Sequence, residues 1–237
     1  MRTLVKQTCI QQYYDEHYYN SSQNKQWIKL PFPQADYYVT PLKLLDIQRG
    51  RKLLDIACGT GKFLRRAEDL GLQCYGIDIS KTAIRKARAI VKGVLNYANV
   101  DKGLPYNDKF FDYITCLGSL EHFKNQSRVL REIRRVAKKT CQIYFLVPNN
   151  DFILHKLGYE TDFQPVVNRH SLTEYRSLIE RNGLKIYRTL RDNMYLTNLA
   201  ESSSLLKLLT KLVFRPFVSL IPFSLSYNFI FLCQTSN

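Results

Sequence analysis

The residues with the clearest chemical potential lie between Arg51 and Leu64, in the segment R-K-L-L-D-I-A-C-G-T-G-K-F-L. Asp55 interrupts an apolar run typical of a buried parallel strand, where a carboxylate is costly unless it has a partner. Gly59 and Gly61 allow a tight turn and let backbone N–H groups approach a ligand closely. A helical pattern begins after Gly61, so the segment predicts a strand, a glycine turn and a helix N-terminus, which is typical of nucleotide binding.

Two common phosphate-binding patterns are excluded by the same residues. The dinucleotide pattern G-x-G-x-x-G needs a third glycine where this chain has Leu64. The P-loop pattern G-x-x-x-x-G-K-S/T needs a glycine at Ile56 and a hydroxyl residue at Phe63. The pattern that remains, D-x-A-C-G-T-G, resembles the first motif of class I S-adenosylmethionine-dependent methyltransferases, a large Rossmann-like family.

This resemblance implies a cofactor with a sulfonium, an ammonium and a carboxylate but no phosphate. It assigns Asp55 to the cationic amino-acid end of S-adenosylmethionine, often through water, and places the glycine turn under the cofactor. The cofactor contacts implied for this segment are Asp55, Ala57, Cys58, Gly59, Thr60 and Gly61.

A second acidic residue ends the next predicted strand, Gln73 to Ile79. An acidic side chain at this point of a nucleotide-binding fold accepts the ribose hydroxyls, and the resemblance implies the same role for Asp78, with Ile79 beside it. The alternative for an aspartate at a strand end is a helix cap. Ser80 is predicted to cap a basic helix from Lys81 to Val91.

The third strand is predicted from Val94 to Val100. The resemblance places the adenine contacts at its end, where a polar side chain meets the exocyclic amine and a backbone N–H meets a ring nitrogen. We expect Asn99 and Val100 in these roles, with Asp101 as the alternative side chain.

The stretch from Leu104 to Phe123, L-P-Y-N-D-K-F-F-D-Y-I-T-C-L-G-S-L-E-H-F, resembles the fourth-strand region of small-molecule methyltransferases. Leu117 and Gly118 are implied as cofactor contacts, and Ser119 is expected beside the transferred methyl group. His122 lies at the predicted pocket rim, where a pKa near neutrality suits a general base. The alternative is a structural histidine that bonds to the backbone.

The same stretch bears on metal binding. Some small-RNA and ubiquinone-pathway O-methyltransferases hold a divalent cation with E-x-x-E-H, and Gly118 stands where the first glutamate would be. The sequence therefore predicts S-adenosylmethionine as the cofactor and no metal.

An aromatic-rich segment precedes this domain and forms, with a helix predicted from Pro41 to Gln48, the region 1–49. By resemblance, the aromatic-rich segment is a cover over the active site, with Tyr14 and Tyr19 as walls of the substrate pocket. A simpler alternative is an N-terminal helix packed on the sheet.

The fold class predicted is α/β, a Rossmann-like, doubly wound, seven-stranded, mostly parallel sheet with helices on both faces. Residues 50–237 form the methyltransferase domain, with inserts at about 149–170 and 191–226. The other predicted strands are Tyr113–Leu117, Gln142–Val147, Leu184–Leu190 and Tyr227–Cys233, and the other helices are Arg128–Val136 and Ser171–Arg181, the second opened by a capping box.

Charge and cysteine content indicate which partners and which cellular compartment to expect. The 237 residues carry a formal charge of +15, which suits an anionic partner or simply a basic protein. Six cysteines without a C-x-x-C pair indicate a reducing, cytoplasmic location. Residues 205–223 predict a basic amphipathic helix, compatible with a membrane surface or with a lid on the sheet, and are interrupted too often to span a bilayer.

The function expected is methyl transfer to a small or lipid-linked metabolite, most simply on oxygen. RNA methylation is an alternative suggested by the positive charge, although no appended RNA-binding module is visible. A non-catalytic binding protein that keeps the fold is a third class.

Overall fold

The computed structural model of the chain describes residues 7–19, 34–152, 164–192 and 222–236. Seven strands form one sheet in the order β3-β2-β1-β4-β5-β7-β6, with β7 antiparallel to both of its neighbours. The strands are β1 (Lys52–Ile56), β2 (Gln73–Asp78), β3 (Val94–Tyr97), β4 (Phe111–Leu117), β5 (Ala137–Pro148), β6 (Leu184–Asp192) and β7 (Asn228–Thr235). The predicted seven-stranded Rossmann-like sheet is confirmed.

Helices cover both faces of the sheet, which is why the central strands are apolar on both sides. Within the described ranges they are α1 (Gln7–Gln12, continued by a π-helical turn Tyr13–Tyr18), α2 (Gln34–Leu44), α3 (Lys62–Asp69), α4 (Lys81–Arg88), α5 (Gln126–Val136) and α6 (Leu172–Arg181). Leu53 of β1 packs into the core shared with α2, α3 and α4. Leu54 and Ile56 point to the opposite core, shared with α5 and α6.

Several boundaries differ from the predicted ones. Helix α2 begins at Gln34 and contains Pro41 in its interior, whereas the sequence predicted a helix starting at Pro41. Strand β3 ends at Tyr97 because the Asn99 side chain accepts a hydrogen bond from the Asp101 N–H and starts a 3-10 turn there. The helical pattern after Gly61 includes Leu70, but helix α3 ends at Asp69, and Leu70 is 48% exposed.

Helix α6 has the predicted capping box. The Ser171 hydroxyl accepts from the Glu174 N–H, and the Glu174 carboxylate accepts from the Ser171 N–H. All six cysteines are free thiols, and only Cys9 is exposed.

The predicted domain boundary at residue 49 stays a prediction. Leu42 and Leu45, which precede it, lie in the same core cluster as Leu53. Within the described ranges, no helix has the length and apolar character needed to cross a bilayer. The predicted basic helix at 205–223 lies outside the described residues, apart from Pro222 and Phe223.

Candidate functional site

A cleft of about 680 Å³, including its open mouth, lies at the carboxyl ends of β1, β2 and β4. This is the edge at which parallel α/β sheets bind ligands. Helix α1 and its π-helical extension close one side, and the segment after β5 closes another. The lining residues are Ile10, Tyr14, Tyr18, Tyr19, Ala57, Asp78, Ile79, Asn99, Val100, Asp101, Gly118, Ser119, His122, Phe123 and Gln164.

The glycine turn between β1 and α3 has left-handed backbone conformation at three positions. The φ angle is +58° at Ala57, +54° at Gly59 and +78° at Gly61. A Cβ atom on Gly61 would lie 2.8 Å from Val91 Cγ2 and 2.9 Å from Ala87 Cβ, so only glycine fits this turn against α4 and the residues after it.

Asp78, at the end of β2, holds the turn in place. Its two carboxylate oxygens accept from the Gly59 N–H at 2.9 Å and the Ser80 N–H at 2.8 Å. Burial raises the pKa of the Asp78 carboxyl to about 6, despite these hydrogen bonds. Each oxygen has a further lone pair, and the side chain faces the cleft, so it can accept ligand hydroxyls.

Asp55 lies deeper than the sequence suggested. Its side chain is 3% exposed, accepts from the Thr115 hydroxyl at 2.7 Å and is not among the residues that line the cleft. Burial raises the pKa of this carboxyl to about 7, and the nearby Asp78 adds to the rise. Any contact between Asp55 and a ligand therefore needs a bridging water or a shift of the turn.

Asn99 and Asp101 divide the roles that the sequence left open. The Asp101 carboxylate accepts from the Asn125 N–H at 2.9 Å and so holds the N-cap residue of α5 in place. The Asn99 amide oxygen is occupied by the Asp101 N–H, and its Nδ2 is buried at the cleft without a hydrogen-bond partner among the described residues. The atom of Asn99 available to a ligand is therefore a donor, which pairs with a ring nitrogen and not with an exocyclic amine.

His122 lies at the rim in a 3-10 turn after β4, with its side chain 9% exposed. Its Nδ1 is 2.7 Å from the Val166 carbonyl oxygen, and its Nε2 is 2.8 Å from Gln164 Nε2. The Glu121 carboxylate lies 3.6 Å from the same Nε2 atom. His122 thus bonds to the backbone and also turns a ring nitrogen to the cleft, so both roles foreseen for it remain compatible with its position.

The tyrosine-rich segment lies along one side of the cleft, and its role as a wall of the substrate pocket stays a prediction. Tyr14, Tyr18 and Tyr19 line the cleft, and the Tyr19 hydroxyl would lie 3.1 Å from a Cβ atom on Gly59. The segment is bound to α4 by Asp15, whose carboxylate accepts from the Ser80 hydroxyl at 2.6 Å and from the Thr82 N–H at 3.0 Å. The Lys86 ammonium also donates to the Tyr19 carbonyl oxygen.

The cleft brings together much of the predicted site. Ten predicted residues line it: Tyr14, Tyr19, Ala57, Asp78, Ile79, Asn99, Val100, Gly118, Ser119 and His122. Six predicted cofactor contacts do not line it: Asp55, Cys58, Gly59, Thr60, Gly61 and Leu117. Except for Leu117, at the end of β4, these six belong to the end of β1 and the turn beside it, and their contact with a ligand stays a prediction.

The sequence did not indicate Ile10, Tyr18 or Phe123 as lining residues. Tyr18 adjoins a predicted wall residue, and Phe123 ends the motif that contains His122, so both had a local signal. Gln164 lies in the predicted insert at about 149–170, for which the sequence indicated no individual lining residue.

The described part of the chain contains no group of three or more His, Cys, Asp or Glu side chains arranged to hold a metal ion. Glu121 and His122 are neighbours, and Gly118 supplies no side chain where the metal motif has its first glutamate. The absence of a metal from the working protein stays a prediction.

Comparison with known proteins agrees with the resemblance to methyltransferases. Residues 35–189 match a family profile described as a methyltransferase domain. Norajmaline N-methyltransferase of Rauvolfia serpentina is 26% identical over 185 residues, covering 75% of this chain and 55% of that protein. Demethylmenaquinone methyltransferase of Listeria welshimeri is 33% identical over 110 residues, covering 43% of this chain and 47% of that protein. The chain spans about half the length of the curated relatives it matches.

Solved structures share the fold at low sequence identity. Phosphoethanolamine N-methyltransferase 2 of Haemonchus contortus, in complex with S-adenosyl-L-methionine, aligns with a TM-score of 0.72 at 14% identity, covering 99% of this chain and 60% of that one. A methyltransferase in complex with the Haloferax volcanii Trm112 activator aligns with a TM-score of 0.68 at 17% identity, covering 93% and 96%. The profile match spans more than half of the sequence, and the chain therefore belongs to the class I S-adenosylmethionine-dependent methyltransferases.

Proposed function

We propose that this chain binds S-adenosylmethionine and transfers its methyl group to a nucleophile of a small or lipid-linked metabolite. The observation that carries the proposal is the pair of polar groups turned to one cleft: the Asp78 carboxylate and the Asn99 amide nitrogen. A carboxylate accepts from ribose hydroxyls, and a buried donor without a partner suits a ring nitrogen of adenine. The residues present thus fit an adenosine ligand.

The bound cofactor supplies an electrophilic methyl group on a sulfonium. The protein's part is to orient the nucleophile, exclude water and accept a proton. Gly118 and Ser119 lie at the end of β4, with His122 three residues beyond, so a nucleophile that enters from the mouth meets a ring nitrogen on the way to the glycine turn. A hydroxyl needs such a base, and oxygen is the acceptor that this arrangement favours.

An amine is the second candidate acceptor. Among the described lining residues none is lysine or arginine, whereas Asp78, Asp101 and three tyrosines are present. Such a lining tolerates a cationic group, because carboxylates and aromatic faces both attract it. N-methylation is also the activity named for the Rauvolfia and Haemonchus proteins. Parallel assays with hydroxyl- and amine-bearing metabolite fractions separate the two acceptors.

Isothermal titration with S-adenosylmethionine, S-adenosylhomocysteine and NAD tests the cofactor assignment. We expect heat with the first two ligands and none with NAD. Asp78→Asn should weaken binding by about tenfold or more, because it loses the charge that accepts two hydroxyls. The matched control is Asp69→Asn, on the exposed end of α3. Heat with NAD alone would refute the proposal.

The charge of +15 makes RNA and an anionic membrane surface the two partners to be tested beside the small-molecule substrate. A gel shift with tRNA at two salt concentrations distinguishes RNA methylation, since tight and steeply salt-dependent binding would favour it. Sedimentation with anionic vesicles tests the membrane contact proposed for residues 205–223. A partner protein is a further option, because one structural neighbour is bound to an activator.

A non-catalytic or differently reacting protein remains the third class. The cyclase SpnF shares this fold with a TM-score of 0.58 at 18% identity, so the fold alone does not define the chemistry. Cofactor binding without turnover in any metabolite fraction would favour this class over methyl transfer.

A further inference from the structure

Three segments that are far apart in sequence meet at the mouth of the cleft through a chain of hydrogen bonds. The Tyr14 hydroxyl donates to Gln164 Oε1 at 2.7 Å, and Gln164 Nε2 lies 2.8 Å from His122 Nε2. His122 Nδ1 lies 2.7 Å from the Val166 carbonyl oxygen. These hydrogen bonds therefore join the π-helical turn after α1, the turn after β4 and the segment after β5.

The partners determine where the hydrogen atoms lie. A carbonyl oxygen only accepts, so the hydrogen of a neutral His122 ring is on Nδ1 and is donated to Val166. Nε2 then carries a lone pair, and the Gln164 amide donates an N–H to it. With Gln164 Nε2 turned to the ring, its Oε1 is left to accept from the Tyr14 hydroxyl, so each of these hydrogen bonds has one donor and one acceptor.

The segment that carries Gln164 is held against the turn of His122 by other bonds. The Asn168 N–H donates to the Glu121 carbonyl oxygen at 2.7 Å, and the Asn168 side chain donates to the Phe123 carbonyl oxygen at 3.2 Å. Gln126 Nε2 donates to the carbonyl oxygens of Leu120 and Asn168 at 3.0 and 3.1 Å. Gln164 is thus presented to His122 by a built framework and not by an isolated contact.

We propose that Gln164 is a positioning residue for His122. It holds His122 as the neutral Nδ1–H tautomer, with the Nε2 lone pair toward the cleft. When substrate binds, the proton-bearing nucleophile replaces the Gln164 amide as the hydrogen-bond donor to Nε2. In the transfer, the nucleophile's lone pair forms the bond to the methyl carbon. The bond from that carbon to sulfur breaks with both electrons left on sulfur, and the nucleophile's proton moves to Nε2. The proton returns to water after the product leaves.

Charges around Nε2 are consistent with this sequence of events. Glu121 Oε1, 3.6 Å from Nε2, stabilises the imidazolium that forms when the proton arrives. The other titratable groups among the described lining residues are Tyr14, Tyr18 and Tyr19 from the N-terminal segment, Asp78 from β2 and Asp101 from the turn after β3. Without Gln164, the Val166 carbonyl still favours a hydrogen on Nδ1. No amide donor then occupies Nε2, and the Glu121 carboxylate competes for a hydrogen on that atom, so both tautomers become populated.

The test reads the tautomer of His122 directly. Protein labelled with ¹⁵N at histidine gives imidazole nitrogen signals, which are assigned by their loss in His122→Gln. We expect only the Nδ1–H tautomer in the wild type, a mixture of tautomers in Gln164→Ala, and a doubly protonated ring near pH 7 in Gln164→Glu. A wild-type ring with its hydrogen on Nε2, or ring signals unchanged in both variants, would overturn the proposal.

Kinetics give the second readout, and this half rests on the proposed function. Gln164→Ala should lower kcat about ten- to hundredfold, with little change in the affinity for S-adenosylmethionine. Gln164→Glu should move the acidic limb of the pH–rate profile to higher pH, since its carboxylate stabilises the imidazolium. An unchanged kcat in Gln164→Ala, despite a changed tautomer, would refute the positioning role.

Two further variants keep the outcome interpretable. Tyr14→Phe removes only the hydroxyl that anchors Gln164, so we expect the same changes in smaller degree, even if Gln164→Ala folds poorly. Gln12→Ala is the matched control, because Gln12 is exposed on α1 and bonds only to Glu16 among the partners described. If the wild type binds no S-adenosylmethionine, the proposed function fails, whereas the tautomer result still decides whether Gln164 positions His122.

Discussion

Asp55→Asn should stabilise the protein in the absence of ligand, and the gain should grow with pH. The Asp55 carboxyl is buried, receives one hydrogen bond from Thr115, and has a pKa raised to about 7 from its usual 3.8. A carboxyl whose pKa is higher when folded binds more protons in the folded state. Its contribution to stability is therefore fully present below pH 3.8 and is lost as the pH rises through about 7.

The size of the effect follows from the same values. A rise from 3.8 to about 7, at about 1.4 kcal/mol per pH unit, corresponds to about 4 kcal/mol of unfolding free energy above pH 7. Asparagine keeps an oxygen for the Thr115 hydroxyl but carries no charge. We expect Asp55→Asn to gain up to about 4 kcal/mol at pH 8 and almost nothing at pH 4.

Urea unfolding of the ligand-free protein at pH 4, 6 and 8 measures this difference. Asp69→Asn is the matched control, because Asp69 is exposed and paired with Arg65 on the surface, where a change of under about 1 kcal/mol is expected. A variant no more stable than the wild type at pH 8, or equally more stable at every pH, would refute the reasoning.

The cost of the buried charge also predicts proton release on binding. A cationic ligand near Asp55 lowers the pKa of this carboxyl, so near pH 6.5 S-adenosylmethionine binding should release protons. Titration in two buffers of different ionisation enthalpy counts them, and Asp55→Asn should release fewer and bind more weakly. Equal release by both proteins would show that the ligand does not sense Asp55.

Three other changes test the site. Gly61→Ala should lower the free energy of unfolding in urea by roughly 2–5 kcal/mol, because of left-handed backbone strain and the clash with Val91 and Ala87. Gly50 is the matched control, because it has nearly the same φ, +77°, and nothing within 4 Å of an added Cβ atom. Gly50→Ala should therefore lower the free energy of unfolding by roughly 1–2 kcal/mol, from strain alone. His122→Ala should lower turnover by roughly 10²–10⁴-fold with cofactor affinity nearly intact, and turnover within tenfold of wild type would indicate a structural role. EDTA should leave the activity of the wild type unchanged. Activity that is lost in EDTA and restored by Mg²⁺ would reveal a metal. Asp15→Asn should speed proteolysis between residues 7 and 19 and weaken cofactor binding, because the N-terminal segment loses charged hydrogen bonds to Ser80 and Thr82. An unchanged rate of cleavage would show that Asp15 does not anchor the N-terminal segment.

Local patterns in the sequence predicted the glycine turn and the strand ends beside it. The glycine turn, Asp78 and Ser80 lie within one strand–turn–helix unit and its successor, where neighbours along the chain set the backbone. Hydrophobic runs predicted the seven strands, and the S-x-x-E pattern predicted the cap of α6. The ends of several elements differ from the predicted ones because capping side chains decide them, as Asn99 does for β3.

Only the tertiary structure decided how distant segments share the cleft. Asp15 meets Ser80 across 65 positions, and Tyr14 meets Gln164 across 150, contacts that leave no periodic trace in the sequence. The Asn99 amide nitrogen, which has no partner among the described residues, and the depth of Asp55 also depend on neighbours from other strands. The sequence by itself therefore determined the family and the kind of cofactor, because the motif that indicates them lies in consecutive residues. The packing of separate segments decided which groups line the cleft.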